Sequence, residues 1–144
     1  MTIIPKISEF NFKILSNILP CGVYLSKSKN ISPRCKLCND IETVKHMLYE
    51  CPRIRIIWQE ISEILQVQIK WKHIVCGFPS YDTSTIISGY NFILSVIAYA
   101  IFKENSKSKY HNLNYAGTNI MARVKENLIY YRHILEKRNN ILCK

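Results

Sequence analysis

The sequence predicts a mainly α-helical protein, a small helical bundle into which one cysteine-rich loop is inserted. Three observations predict it. Apolar residues between Ile54 and Leu65 recur at i, i+3, i+4 and i+7, the spacing of a helix with one buried face. The run "FILSVIAYAIF", Phe92 to Phe102, is apolar nearly all round, as a central buried helix would be. Between them in character, the stretch "CKLCNDIETVKHMLYECP" crowds three cysteines and a histidine into the spacing C-x2-C-x7-H-x4-C. With 144 residues, 48% of them apolar and 21% charged, the chain has the composition of one folded domain, 1–144.

From the N-terminus, "KISEFNFKILSNIL" places Ile7, Phe10, Ile14, Leu15 and Ile18 at helical spacing, and Pro20 and Gly22 stop the pattern. "SKSKNISPR" has the turn-forming composition of a connector leading into the cysteine loop, residues 34–52. Pro52 suits the first position of the next helix, where its missing N–H would be unpaired anyway. Ile54, Ile57, Trp58, Ile61, Ile64 and Leu65 should face inward there, with Arg53, Arg55, Glu60 and Glu63 outward. Residues 66–79 alternate over Val67, Ile69 and Trp71, a pattern compatible with a short extended piece or a brief helix. Ser84 or Thr85 can cap the central helix, which the pattern carries to about Lys103. Polar residues then predict a mobile loop over 104–118, followed by a heptad-like seam of Met121, Val124, Leu128, Tyr131, Leu135 and Leu142. Such a seam packs within the domain or against a partner helix.

Cys35, Cys38, His46 and Cys51 make up the donor set of a tetrahedral zinc ion, three thiolates and one imidazole. All four positions are taken by protein, so no site is left for water or substrate, and a Zn2+ held there would be structural. The two-residue gap of "CKLC" lets backbone N–H groups point at the first sulfur, and Asn39 and Asp40 supply the turn away from it. "ETVKHMLYE" reads as a short helix from near Thr43 with Val44, Met47 and Leu48 inward. His46 and Cys51 stand five residues apart, about 140° round an ideal helix, so the helix must end between them if both are to face one ion. Pro52 disfavours the α region for Cys51 and supplies that break. The alternative is three core cysteines and a satisfied histidine. Cys21, Cys76 and Cys143 lack close partners and read as incidental thiols, and His73, His111 and His133 stand alone.

The residues that carry the cluster also carry a family likeness. "CKLCNDIETVKHMLYECPRIRIIW" resembles the zinc-binding region that follows the reverse transcriptase domain in polyproteins of LINE-type, non-LTR retrotransposons. That family repeats, in order, a C-x2-C pair, an acidic stretch, E-[ST]-x-x-H, an apolar-aromatic pair, C-P and a downstream Trp. Here these are Cys35 and Cys38, Asp40 to Glu42, Thr43 to His46, Met47 to Tyr49, Cys51 and Pro52, then Trp58. The long gap before the histidine separates the pattern from the retroviral zinc knuckle. Asn39 stands where members often carry glycine, and asparagine tolerates the left-handed conformation. The flanks "FKILSNILP", "IKWKHIVCGF" and "NFILSVIAYAIFK" resemble the same region, so the likeness runs from about Phe12 to Lys103 and, more weakly, to the end. It implies a zinc-stabilised accessory domain that helps hold the element's RNA or target DNA, and not the polymerase itself.

Charge points the same way. Twenty Lys and Arg against ten Asp and Glu give +10, and the excess sits at the flanks, with six basic and one acidic residue in 1–39 and nine and three in 103–144. A field of that sign attracts polyanions, although solvated lysine-rich helix faces would give the same count. Arg34, Lys36, Lys45, Arg53 and Arg55, on or beside the metal loop, are the first candidates to meet phosphates, with Lys27 and Lys29 next. Tyr49 could stack on an unpaired base or pack in the core. No catalytic aspartate dyad or endonuclease constellation is visible, so no enzyme activity and no small-molecule substrate are expected. Pro5, Lys6 and Glu9 interrupt any N-terminal apolar segment, and the Phe92 to Phe102 run is short of the roughly 18 to 20 residues that span a bilayer. An intracellular, non-membrane protein with reduced thiols is therefore expected, in nucleus or cytoplasm. Two other functions fit the sequence: a protein-interaction module binding other retrotransposon polyprotein segments, or a relic fragment of such an element.

Overall fold

A computed structural model of the chain describes residues 4–79, 85–111 and 117–142. Among these there is no strand, only an isolated antiparallel bridge between Arg34 and Ile41. The helical bundle with its inserted loop is what the sequence predicts.

Helix α1, Pro5–Leu15, begins on a proline and buries Ile7, Phe10 and Ile14 along one stripe. Leu15 and Ile18 do not continue that stripe and are 59% and 46% exposed. The helix stops at Leu15, and Asn17 takes a left-handed conformation (φ 52°), which swings the chain so that Leu19 occupies the inward place instead. A short helix that periodicity did not reveal, α2 (Gly22–Ser26), buries Leu25. Gly22 is needed there, because a Cβ would lie 2.9 Å from the Pro33 carbonyl oxygen and 3.1 Å from Glu42 Cβ.

After the loop, helix α3 (Pro52–Leu65) buries Ile54, Ile57, Trp58 and Ile61, with Arg53, Arg55, Glu60 and Glu63 outward as expected. Trp58 donates its indole N–H to the Leu48 carbonyl at 2.7 Å, fixing α3 to the loop. Ile64, at the edge of the stripe in the last turn, is 73% exposed and not a core residue. Residues 66–79 resolve into a brief helix, α4 (Trp71–Cys76), because His73 Nδ1 accepts the Lys70 N–H at 3.0 Å and holds the first turn.

The two long helices, α5 (Thr85–His111) and α6 (Gly117–Leu142), pack antiparallel. Their register is marked by Lys103 Nζ donating to Asn127 Oδ1 at 2.7 Å, Arg123 facing Glu104 at 3.8 Å, and Val96 packing with Tyr131. Leu94, Val96, Ile97, Ala98, Ala100 and Ile101 are fully buried, so α5 is the central helix. Val124 and Tyr131 of the seam are buried, and Met121 and Leu128 pack on the core, so these described members of the seam pack within the chain; Ile120, which the seam does not include, is buried as well. The side chains of Leu135 and Leu142 and the cap position Ser84 lie outside the described residues.

The loop expected over 104–118 is corrected. Residues 104–111 continue α5, and Gly117 and Thr118 already belong to α6, while 112–116 lie outside the described residues. Asn105 and Ser108 are buried, so polar side chains that composition assigns to solvent are inward-facing helix positions. No described helix is long and apolar enough to cross a membrane.

Candidate metal centre

The first half of the loop is a tight turn built on the C-x2-C spacing. The Cys35 N–H donates to the Asp40 carbonyl at 2.7 Å, and the Asn39 N–H returns to the Cys35 carbonyl at 2.9 Å. Closing so short a circuit requires one left-handed residue, and Asn39 supplies it at φ 68°. The Leu37 N–H points at Cys35 Sγ, 3.4 Å away, in the way a thiolate ligand is stabilised.

In the second half, Thr43 starts a helical turn, its hydroxyl accepting the His46 N–H at 3.1 Å. That turn ends before Cys51, as the sequence suggests, but not as an α-turn. It widens into a π-helical turn over His46–Glu50, closed by the Cys51 N–H donating to the His46 carbonyl at 3.0 Å. A bond from residue i to i+5 sets His46 and Cys51 one above the other, which an α-turn cannot do. Cys51 then leaves the helical region (φ −53°, ψ 128°), as the residue before Pro52 should.

All four predicted donors converge. Cys35 Sγ and Cys51 Sγ are 3.9 Å apart, Cys38 Sγ and His46 Nε2 are 3.2 Å apart, and the four atoms lie within 4.8 Å of one another. A tetrahedral zinc with Zn–S near 2.3 Å and Zn–N near 2.05 Å needs ligand-to-ligand edges of about 3.8 Å and 3.6 Å. The donor set fits one cation in number, softness and spacing. Cys35, His46 and Cys51 are buried and Cys38 is half-buried, so the site faces the core with one edge to solvent. Without a cation, the hydrogen bond that the Cys35 thiol donates to Cys51, followed by burial, pushes Cys35 up to about 12, while the same bond lowers Cys51. A cation held by the four donors would take the place of that shared proton.

Glu42, which the sequence offers only as part of an acidic stretch, anchors the loop to the bundle. It is completely buried. Its carboxylate accepts the Gly22 N–H at 2.8 Å and the Asn105 side-chain N–H at 3.0 Å, and pairs with the equally buried Lys109. Its backbone bonds Pro33 and Val23. Burial pushes the Lys109 ammonium down to about 8. The signal in the sequence is the i, i+4 spacing of Asn105 and Lys109, legible only once α5 is known to reach them.

The cationic candidates occupy different stations. Arg34, exposed, bonds the Asn39 carbonyl at 2.9 Å, and Lys36 bonds the Ser108 carbonyl at 2.6 Å, near the negative end of α5. Lys45 pairs with Glu50 at 2.8 Å. Arg53 is exposed on the first turn of α3, and Arg55 lies over the Tyr49 ring at 5.3 Å. Tyr49 itself packs beside Trp71 and donates to the Ile69 carbonyl at 3.3 Å, the core role rather than an open stacking face. Cys21 is buried and Cys76 exposed, neither in the donor group, and Cys143 lies outside the described residues. His73 stacks on Phe78, and His133 is exposed.

No curated protein and no solved structure matches this chain. Residues 1–58, which carry α1, α2, the complete donor set and the first half of α3 as far as Trp58, match the family model described as zinc-binding in reverse transcriptase.

Proposed function

We propose that the chain is a non-catalytic, zinc-stabilised nucleic-acid-binding module, an accessory to a reverse transcriptase of the non-LTR retrotransposon type. The observation that carries this reading is the closed set of Cys35, Cys38, His46 and Cys51, with donor atoms within 4.8 Å, inside the segment that matches the family model. A bound Zn2+ would supply charge neutralisation to three thiolates and a fixed shape to the loop. The chain's own residues do the rest. Cys35 and Cys38 hold one half of the loop, His46 and Cys51 the other, and Glu42 fixes it to α5. With no donor position left open, the ion has no substrate to activate.

Arg34, Lys36, Lys45, Arg53 and Arg55 are the groups we assign to phosphate contacts, with RNA or target DNA as partner. Cations meeting phosphates bind all sequences alike and lose affinity with salt, by about 0.9 log units per contact on duplex DNA and about 0.7 on single strands. A site of reduced thiols suits an intracellular setting. The test is a salt series on single-stranded and duplex probes with the wild type and the Arg53→Ala/Arg55→Ala double variant. The variant should bind more weakly across sequences and with a shallower salt slope. Unchanged affinity at low salt would remove both arginines from the site.

A further inference from the structure

We propose that the surface where the 27–36 segment meets the C-terminal end of α5 holds an unpaired nucleotide of a single-stranded nucleic acid, with Tyr110 stacking on its base and Lys29 on its phosphate. This rests on the nucleic-acid-binding reading above and adds the strand class and a second contact surface. Tyr110 is 49% exposed near the end of α5, a position where a large ring gains little from packing. Lys29 Nζ lies 4.9 Å from the centre of that ring and 3.3 Å from its hydroxyl. A half-exposed ring with an ammonium beside it is the pairing that single-strand binders use, one group for the base and one for the backbone.

The surrounding charge favours a polyanion. Residues 10–39 contain Lys13, Lys27, Lys29, Arg34 and Lys36 and no acidic residue. The carboxylate that does approach this end of α5, Glu42, is buried and neutralised by Lys109, and Glu104 is paired with Lys107 and Arg123. The surface is also continuous with the metal loop, since Lys36 of the "CKLC" turn bonds the Ser108 carbonyl two residues before Tyr110. A duplex offers no open base face to Tyr110, and an acidic peptide would engage Lys29 while leaving the ring unused.

The experiment measures dissociation constants of the zinc-loaded full chain for DNA and RNA single strands of about 12 nucleotides and for a duplex of the same length. Tyr110→Ala should weaken single-strand binding by about 5- to 100-fold and leave the duplex nearly unchanged, while Tyr110→Phe keeps the single-strand affinity. Photocrosslinking of the wild type to 5-iodouridine strands, with the adduct mapped to Tyr110, checks the contact without any substitution. Equal loss on both probes, no loss on either, or binding of poly-glutamate that depends on Lys29 but not on Tyr110 would overturn the inference. A wild type that binds duplex alone would overturn it and leave the accessory reading standing. A wild type that binds neither probe would overturn that reading as well.

Discussion

The loop from Arg34 to Pro52 and the hairpin of α5 and α6 are ordered by opposite means. Through most of the hairpin the inward atoms are aliphatic: Leu94, Ile97, Ile101, Ile120 and Val124 are all buried, polar groups turn inward near the end of α5, and order is spread over many weak contacts. Sulfur, imidazole and carboxylate turn inward in the loop, and a few discrete groups decide whether it holds. The two meet at Glu42 with Lys109 and Asn105, and at Lys36 with Ser108. Distributed packing fails gradually, whereas a ligand set or a buried ion pair fails when one member is removed.

Ranked by size, the first way to break this contrast is Cys38→Ser or a chelator. Apparent zinc-binding free energies of about 10 to 16 kcal/mol in small fingers are also folding free energies. The loop should therefore lose hydrogen-exchange protection while α5 and α6 keep theirs; protection retained throughout the loop would show that packing alone holds it. Next comes Glu42→Ala, which leaves Lys109 buried without its partner. A loss of about 3 to 5 kcal/mol is expected by chemical denaturation. Joint replacement by Glu42→Leu and Lys109→Met should recover much of that loss, separating the charge from the space it fills. The smallest effects lie in the helices. Ile97→Ala should cost about 2 to 5 kcal/mol, whereas Ile64→Ala, exposed on the rim of α3, should stay within about 0.5 kcal/mol. A cost for Ile64→Ala as large as that for Ile97→Ala would mean that Ile64 belongs to the buried face of α3 after all.

Much of this was legible in the sequence, and each miss has its own physical cause. The ligand set could be read because metal donors are rare residue types at fixed spacing. The core of α3 could be read because Ile54, Ile57, Trp58 and Ile61 repeat along one face. Leu15, Ile18 and Ile64 were misplaced because periodicity does not say where a helix stops or where its neighbours end. The widened turn at His46 escaped because a π-turn has no composition of its own, although the conflict between His46 and Cys51 on an α-helix showed that something had to give. Residues 104–111 read as a loop for the opposite reason to α3: Asn105 and Lys109 are polar yet turn inward, and their partner, Glu42, lies more than sixty residues earlier. Local pattern reports apolar burial well and reports polar burial only when both partners are known.

Metal content of the protein, purified under reducing conditions, tests the central claim most directly. One zinc per chain in the wild type, and none after Cys38→Ser or His46→Ala, is the predicted result. Reduced, folded wild-type protein that carries no zinc and takes up none when it is supplied would contradict it.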